Sequence, residues 1–160
     1  MMKLTRAVSL ALGVVCTSMA AGVLAETGMT GHQHDQHAHQ APEASKLSLD
    51  HGKKWQTDMP LRQSMQRIND AVLQAVPAYH NDSMTPAEAG KLSSEINTQI
   101  AYMIANCKLE PAADATLHVF IGELLAGAAR MKDEPASPQG LPHIVRTLDQ
   151  YTEYFDHPGL

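Results

Sequence analysis

The spacing of the nonpolar residues after Asp58 constrains the fold more than any other feature of this sequence. Four of these residues recur at steps of three and four, which places them on one face of a helix: Leu61, Met65, Ile68 and Val72. Asp58 is the expected cap of this first helix, and Pro77 marks its end or a break near it. The segment therefore predicts a helix with one nonpolar face.

Three further segments show the same period. A capping box from Thr85 to Glu88 starts the second helix, which is expected to run to about Lys108. The third opens at Glu110-Pro111, and Gly122, Gly127 and a run of alanines make it smooth enough for a neighbouring helix to approach closely. Ser137-Pro138 offers a start signal for the fourth, whose regular part is expected to begin near Pro142 and to stop at 157–159.

Four amphipathic helices with short connections predict an all-α fold. Short loops place successive helices antiparallel, and narrow nonpolar faces are all covered when they meet at one core. We therefore predict an antiparallel up-down-up-down four-helix bundle over residues 51–160, and no strand of useful length.

The first 25 residues read as a signal peptide. Lys3 and Arg6 precede an uncharged run from Ala7 to Ala21, and Val23-Leu24-Ala25 ends in a residue suited to cleavage. The run is shorter than the roughly 20 residues that cross a bilayer, and no later segment is expected to span one. The sequence thus predicts a periplasmic protein without a membrane span.

Residues 26–50 are predicted to form a disordered tail, because they offer almost no side chain that could enter a core. The whole chain carries 12 basic and 17 acidic residues, a formal net charge of −5. Removal of Lys3 and Arg6 with the signal peptide would make it more negative. This balance disfavours nucleic acid and anionic membranes as partners.

Four histidines in the tail carry the clearest chemical signal: His32, His34, His37 and His39. Neutral imidazole binds Cu(II), Zn(II) and Ni(II), so four imidazoles within eight residues favour exchangeable metal binding. His51 would join them or lie against the first helix. The alternative interpretation is a solvated linker that binds metal without a biological purpose.

Cysteine use excludes an internal disulfide from the processed chain. Cys16 leaves with the signal peptide, and Cys107 alone is left. Cys107 falls on the nonpolar face of the second helix, which favours a buried, inert thiol over a ligand or a redox group.

Trp55, the only tryptophan, lies just before the cap of the first helix. It either folds back over the end of the bundle or forms, with the neighbouring lysines, an exposed lip for a protein partner. Three other histidines are expected to be solvated or locally hydrogen-bonded: His80, His118 and His143.

The stretch from Leu61 to Val72 resembles the first helix of the soluble periplasmic b-type cytochromes, which are four-helix bundles. In that family a methionine of helix one and a histidine near the end of helix four bind the haem iron. The resemblance implies Met65 and His157 for these roles. A covalent haem site is excluded because the chain has no Cys-x-x-Cys-His. The segment from Lys54 to Asp58, followed by Leu61-Arg62, also resembles exported DnrO-like proteins, which carry His-rich N-terminal tails.

No sequence motif points to an enzyme, since the chain contains no nucleophile elbow, His-Glu-x-x-His or phosphate-cradling glycine loop. The leading hypothesis is a periplasmic metal-binding protein that captures or buffers Cu, Zn or Ni through its tail. The alternatives are a haem-b electron carrier and a non-enzymatic protein-interaction module. The sequence leaves the oligomeric state open.

Overall fold

The computed structural model describes residues 46–160. The predicted signal peptide, most of the predicted tail and its four histidines His32, His34, His37 and His39 lie outside the described residues. Four helices form most of the described chain: α1 (Met59–His80), α2 (Pro86–Asn106), α3 (Pro111–Asp133) and α4 (Leu141–Tyr154). Two strands of two residues each accompany them: β1 (Trp55–Gln56) and β2 (Phe155–Asp156). The all-α prediction is confirmed at this level.

The start of α1 follows directly from Asp58. Its Oδ1 atom accepts a hydrogen bond from the backbone N–H of Leu61 at 2.9 Å, as a capping residue does. The helix continues one turn beyond the proline, to His80. Proline can be accommodated there because only one bond, to the carbonyl of the exposed Leu73, is lost, and the N–H of Asn81 still donates to the Pro77 carbonyl at 3.1 Å.

The capping box at the start of α2 is also confirmed. The Glu88 N–H donates to Thr85 Oγ1 at 3.2 Å, and the Thr85 N–H donates to Glu88 Oε2 at 2.8 Å. The helix ends at Asn106, two residues before the expected Lys108, and Cys107 adopts an extended conformation as its C-terminal cap. Cys107 therefore lies in the connection between α2 and α3.

The two glycines of α3 have different surroundings. A Cβ atom added to Gly127 would lie 2.6 Å from Cγ1 of Ile144 on α4, whereas one added to Gly122 would have no neighbour within 4 Å. The expected close approach is therefore made at Gly127 and not at Gly122, which is exposed.

This difference predicts opposite effects of one substitution. Gly122→Ala should raise the free energy of unfolding by about 0.5–1 kcal/mol, because alanine favours the helical backbone. Gly127→Ala should lower it by about 1–3 kcal/mol, because the new methyl group overlaps the buried Ile144. Urea denaturation of both variants measures the two changes, and equal shifts would contradict the packing of α3 on α4.

Of the described helices, α3 alone is long and nonpolar enough to cross a membrane by length and composition. The expectation that no later segment comes close is wrong on this point. Nearly half of its most nonpolar stretch is buried inside the protein. A core helix rich in alanine meets the same criterion, because alanine raises the mean hydropathy without adding a large nonpolar side chain to every face.

The fourth helix ends earlier than expected. Regular helix stops at Tyr154, and Phe155 and Asp156 become extended and pair in parallel with Trp55 and Gln56. The predicted end at residues 157–159 is wrong because strand pairing with the segment before α1 competes with the last helical turn. Phe155 is nevertheless buried, as its nonpolar character predicts.

The nonpolar faces of the four helices share one core. Each helix packs against the next in sequence, and α4 also packs against α1. An aromatic group lies near the end of α4, where the Tyr151 and Phe155 rings stack with centroids 4.8 Å apart and Phe120 of α3 meets both edge-on. This group brings the C-terminal segment against the region where α1 begins.

Candidate functional site

Five polar side chains meet where α1 begins, α2 ends and α4 ends; we name them the Asp58 cluster: Asp58, Arg62, Cys107, Tyr151 and His157. Asp58 holds two elements together. Its Oδ1 caps α1, and its Oδ2 accepts a hydrogen bond from the backbone N–H of Lys108 at 2.7 Å. A single carboxylate therefore ties the start of α1 to the connection that follows α2.

The thiol of Cys107 also contacts the Asp58 carboxylate. Burial, the negative charge of Asp58 and a hydrogen bond to that carboxylate together raise the pKa of Cys107 to about 12. Since the thiolate is the form that reacts and binds metal, the thiol remains protonated and unreactive at neutral pH. This supports the interpretation of Cys107 as an inert thiol, which is half-buried against the core and forms the C-terminal cap of α2.

Tyr151 and His157 form the second contact in the cluster. Burial raises the pKa of the Tyr151 phenol well above its usual value, so its O–H stays protonated and can donate to His157 Nδ1 at 3.1 Å. The proton of the neutral imidazole is then on Nε2. Burial and the nearby Arg62 guanidinium lower the pKa of His157.

This lowered pKa predicts that folding stability depends on pH. In the unfolded chain histidine titrates near 6.5, so as pH falls the unfolded state takes up its proton before the folded state does. The contribution of His157 should be fully present above pH about 6.5 and lost as pH falls through the lower pKa of the folded state. Urea denaturation at a series of pH values should show a weaker acid dependence for His157→Gln than for the wild type. Exposed His80→Gln is the control, and an unchanged acid dependence in His157→Gln would contradict the role given to this histidine.

Trp55 is buried, with 7% of its surface exposed, and its indole N–H donates to the Ser48 carbonyl at 2.7 Å. The folded-back interpretation is confirmed, and the exposed aromatic lip is wrong because β1 holds the indole against the core. The neighbouring Thr57 extends the contact, since it donates to the Asp156 carbonyl at 2.7 Å and accepts from Arg62. Leu47 also packs against the core, and the Ser48 and Thr116 hydroxyls are hydrogen-bonded at 3.2 Å.

The two residues implied as haem ligands have different surroundings. Met65 is fully buried among the nonpolar side chains of the core. His157 is half-buried, with Nδ1 bonded to Tyr151, and lines a surface groove that Met65 does not line. These surroundings do not fit a haem held between the two side chains, because one is covered by the core and the other already has a hydrogen-bond partner. Haem binding stays a prediction of the resemblance.

Three of the other histidines in the described chain are exposed or locally bonded, as expected for His80 and His118. The expectation is wrong for His143 of α4, which is partly buried and contacts Glu123 of α3. His51 and His80 are exposed, His118 Nδ1 lies 2.9 Å from the Asp114 carbonyl, and His143 Nε2 lies 2.9 Å from Glu123 Oε2. Within residues 46–160 no three histidine, cysteine or carboxylate side chains come together as a metal site would require.

The sequence did not indicate the link from Asp58 to Lys108 or the contact of Tyr151 with His157. Both join residues whose meeting depends on tertiary packing, and only the capping role of Asp58 had a local signal.

Comparisons with known protein families, with curated proteins and with solved structures found no match to this chain.

Proposed function

We propose that this chain is an exported, periplasmic metal-binding protein that captures or buffers Cu(II), Zn(II) or Ni(II) through its N-terminal histidines. One observation carries the proposal: His32, His34, His37 and His39 fall within eight residues. Imidazole is a good ligand for all three ions, and several imidazoles on one ion bind more tightly than one. The signal-peptide pattern of residues 1–25 supports export.

The helical part is proposed as the body that carries the tail. The connections at residues 81–85, 107–110 and 134–140 are short, each helix packs on the next, and α1 packs on α4. These features support an antiparallel up-down-up-down bundle. Cys107 is not part of the proposed site, since within the described residues no group of three histidine, cysteine or carboxylate side chains forms around it.

Metal affinity is expected to depend on the four tail histidines. The affinity for Cu(II) or Zn(II) at pH 7.5 is measured by calorimetric titration for two proteins. One is the chain from residue 26, and the other is the same chain with all four substitutions, His32→Asn, His34→Asn, His37→Asn and His39→Asn. We expect the affinity to fall at least about tenfold, because protein ligands are replaced by water on the ion. Affinity of the unchanged chain should also fall as pH drops through about 6.5, since protonation occupies the donor nitrogen.

The matched control replaces two exposed histidines of the helical body, His80→Asn and His118→Asn. This variant should bind as the unchanged chain does. If the tail variant kept its affinity and the body variant lost it, the assignment of metal binding to the tail would be wrong.

A further inference from the structure

A shallow groove runs between α1 and the C-terminal segment that follows β2. It has a volume of about 440 Å³ and is lined by six residues, which we name the arginine groove: Arg62, Gln63, Gln66, Arg67, His157 and Pro158. Its lining contains two guanidinium groups and no carboxylate. Three other cavities in the described chain each contain at least one carboxylate, and Arg67 also lines the first of them: Asp70, Glu88 and Glu95; Asp50, Asp58 and Glu110; and Glu123. In a chain of net charge −5, this lining is distinctive.

The groove holds hydrogen-bond donors that have spare capacity. Arg62 uses one terminal nitrogen on Thr57, which leaves its other N–H groups. Neither Arg62 nor Arg67 forms an ion pair with a carboxylate of the described residues. When His157 Nδ1 accepts from the Tyr151 hydroxyl, the Nε2 proton of the neutral imidazole is left for a ligand. Gln66 donates one amide N–H to Asp70 Oδ1 at 2.9 Å, and its second amide N–H remains for a ligand.

The helix geometry places these donors together. Arg62 and Gln66 are four positions apart and are neighbours on α1, as are Gln63 and Arg67, and these two pairs lie side by side over little more than a turn. A guanidinium presents paired N–H groups that match two oxygens of a carboxylate or a phosphate. Two guanidinium groups, two amides and an imidazole therefore line the same groove.

We propose that the arginine groove binds a small oxyanion, either a phosphate or a carboxylate group, between Arg62 and Arg67. The proposal is independent of metal binding by the tail. Arg67 provides an exposed charge that the anion neutralises, and Arg62 is fixed by Thr57 and needs little ordering when the anion binds.

The test is a titration followed by ¹H–¹⁵N spectra of the arginine and histidine side chains, with chloride adjusted to constant ionic strength. Inorganic phosphate and citrate are titrated in parallel. We expect saturable shifts at the Arg62, Arg67 and His157 side-chain nitrogens. Tighter binding of phosphate would identify a phosphate ligand, and tighter binding of citrate a carboxylate ligand.

Arg67→Gln should weaken binding by about tenfold, as loss of a charged hydrogen-bonding partner does. Arg67 is exposed, so folding should be unaffected, whereas Arg62→Gln would also disturb the contact with Thr57. Arg146→Gln on α4 removes the same charge from an exposed site outside the groove and should leave binding unchanged. Equal binding by the Arg67 and Arg146 variants, or no saturable shift with either anion, would overturn the proposal.

Discussion

Replacing Phe120 with alanine is expected to lower the free energy of unfolding by about 3–5 kcal/mol, the usual cost of truncating a buried phenylalanine. The ring is almost fully buried on α3 and lies between three others. Its centroid is 5.8 Å from those of Tyr151 and Tyr154 and 6.1 Å from that of Phe155. Truncation would remove the nonpolar contacts and three aromatic pairs at once, and would leave a cavity under the end of α4.

Urea denaturation followed by circular dichroism measures this change. Leu73→Ala is the control, because Leu73 is a large nonpolar residue of α1 with 59% of its surface exposed. Its replacement should change the free energy of unfolding by less than about 0.5 kcal/mol. Similar decreases in the free energy of unfolding of the two variants would show that Phe120 does not lie in the core.

Asp58→Ala should lower the free energy of unfolding by about 2–5 kcal/mol. Loss of a helix cap costs about 0.5–2 kcal/mol, and a hydrogen bond to a charged group contributes about 1.5–3 kcal/mol. Asp58 supplies both, since its two oxygens bind the Leu61 and Lys108 N–H groups. The substitution would also remove the carboxylate that helps to keep the Cys107 thiol protonated.

Two measurements separate these effects of Asp58. Asp58→Asn keeps one capping oxygen without the charge, so it should lose less stability than Asp58→Ala. Alkylation at pH 8, read at Cys107 by peptide mass spectrometry under conditions where the protein stays folded, should be faster in both variants than in the wild type, because the thiol pKa falls. Unchanged stability in Asp58→Ala, or an unchanged alkylation rate in both variants, would contradict the proposed contacts of the Asp58 carboxylate.

Local signals predicted the parts of the fold that local chemistry decides. The Asp58 cap and the Thr85–Glu88 capping box depend on residues three positions apart, and both form as expected. The end of α4 could not be predicted in this way. Phe155 leaves the helix to pair with Trp55, a hundred residues earlier in the chain, and strands of two residues have no detectable period.

The sequence predicted the positions of the helices better than it predicted which neighbours each residue meets. Gly122 and Gly127 look equivalent in the sequence, yet only Gly127 faces α4. Likewise, Cys107 packs against the core as its place in the helical period predicts, yet α2 ends one residue earlier, at Asn106, and nothing in the period indicated the contact of its thiol with Asp58. Which of two similar residues meets a neighbour depends on the relative placement of helices, which a single helical period does not specify.

The candidate sites show the same limit. The metal-binding proposal could be made from the sequence because its four histidines lie within eight residues of one another. The arginine groove was not, because His157 and Arg67 are ninety residues apart in the sequence. Met65 and His157 were paired only through a family resemblance, and the fold gives each a different environment.

We propose that the tail histidines coordinate the metal ion. Electron paramagnetic resonance of the chain from residue 26 with one equivalent of Cu(II) tests it most directly, because imidazole nitrogens split the copper signal. We predict this nitrogen splitting in the unchanged chain and in the variant with His80→Asn and His118→Asn, and its loss when His32, His34, His37 and His39 are all replaced by asparagine. The same spectrum in the tail variant would contradict the claim.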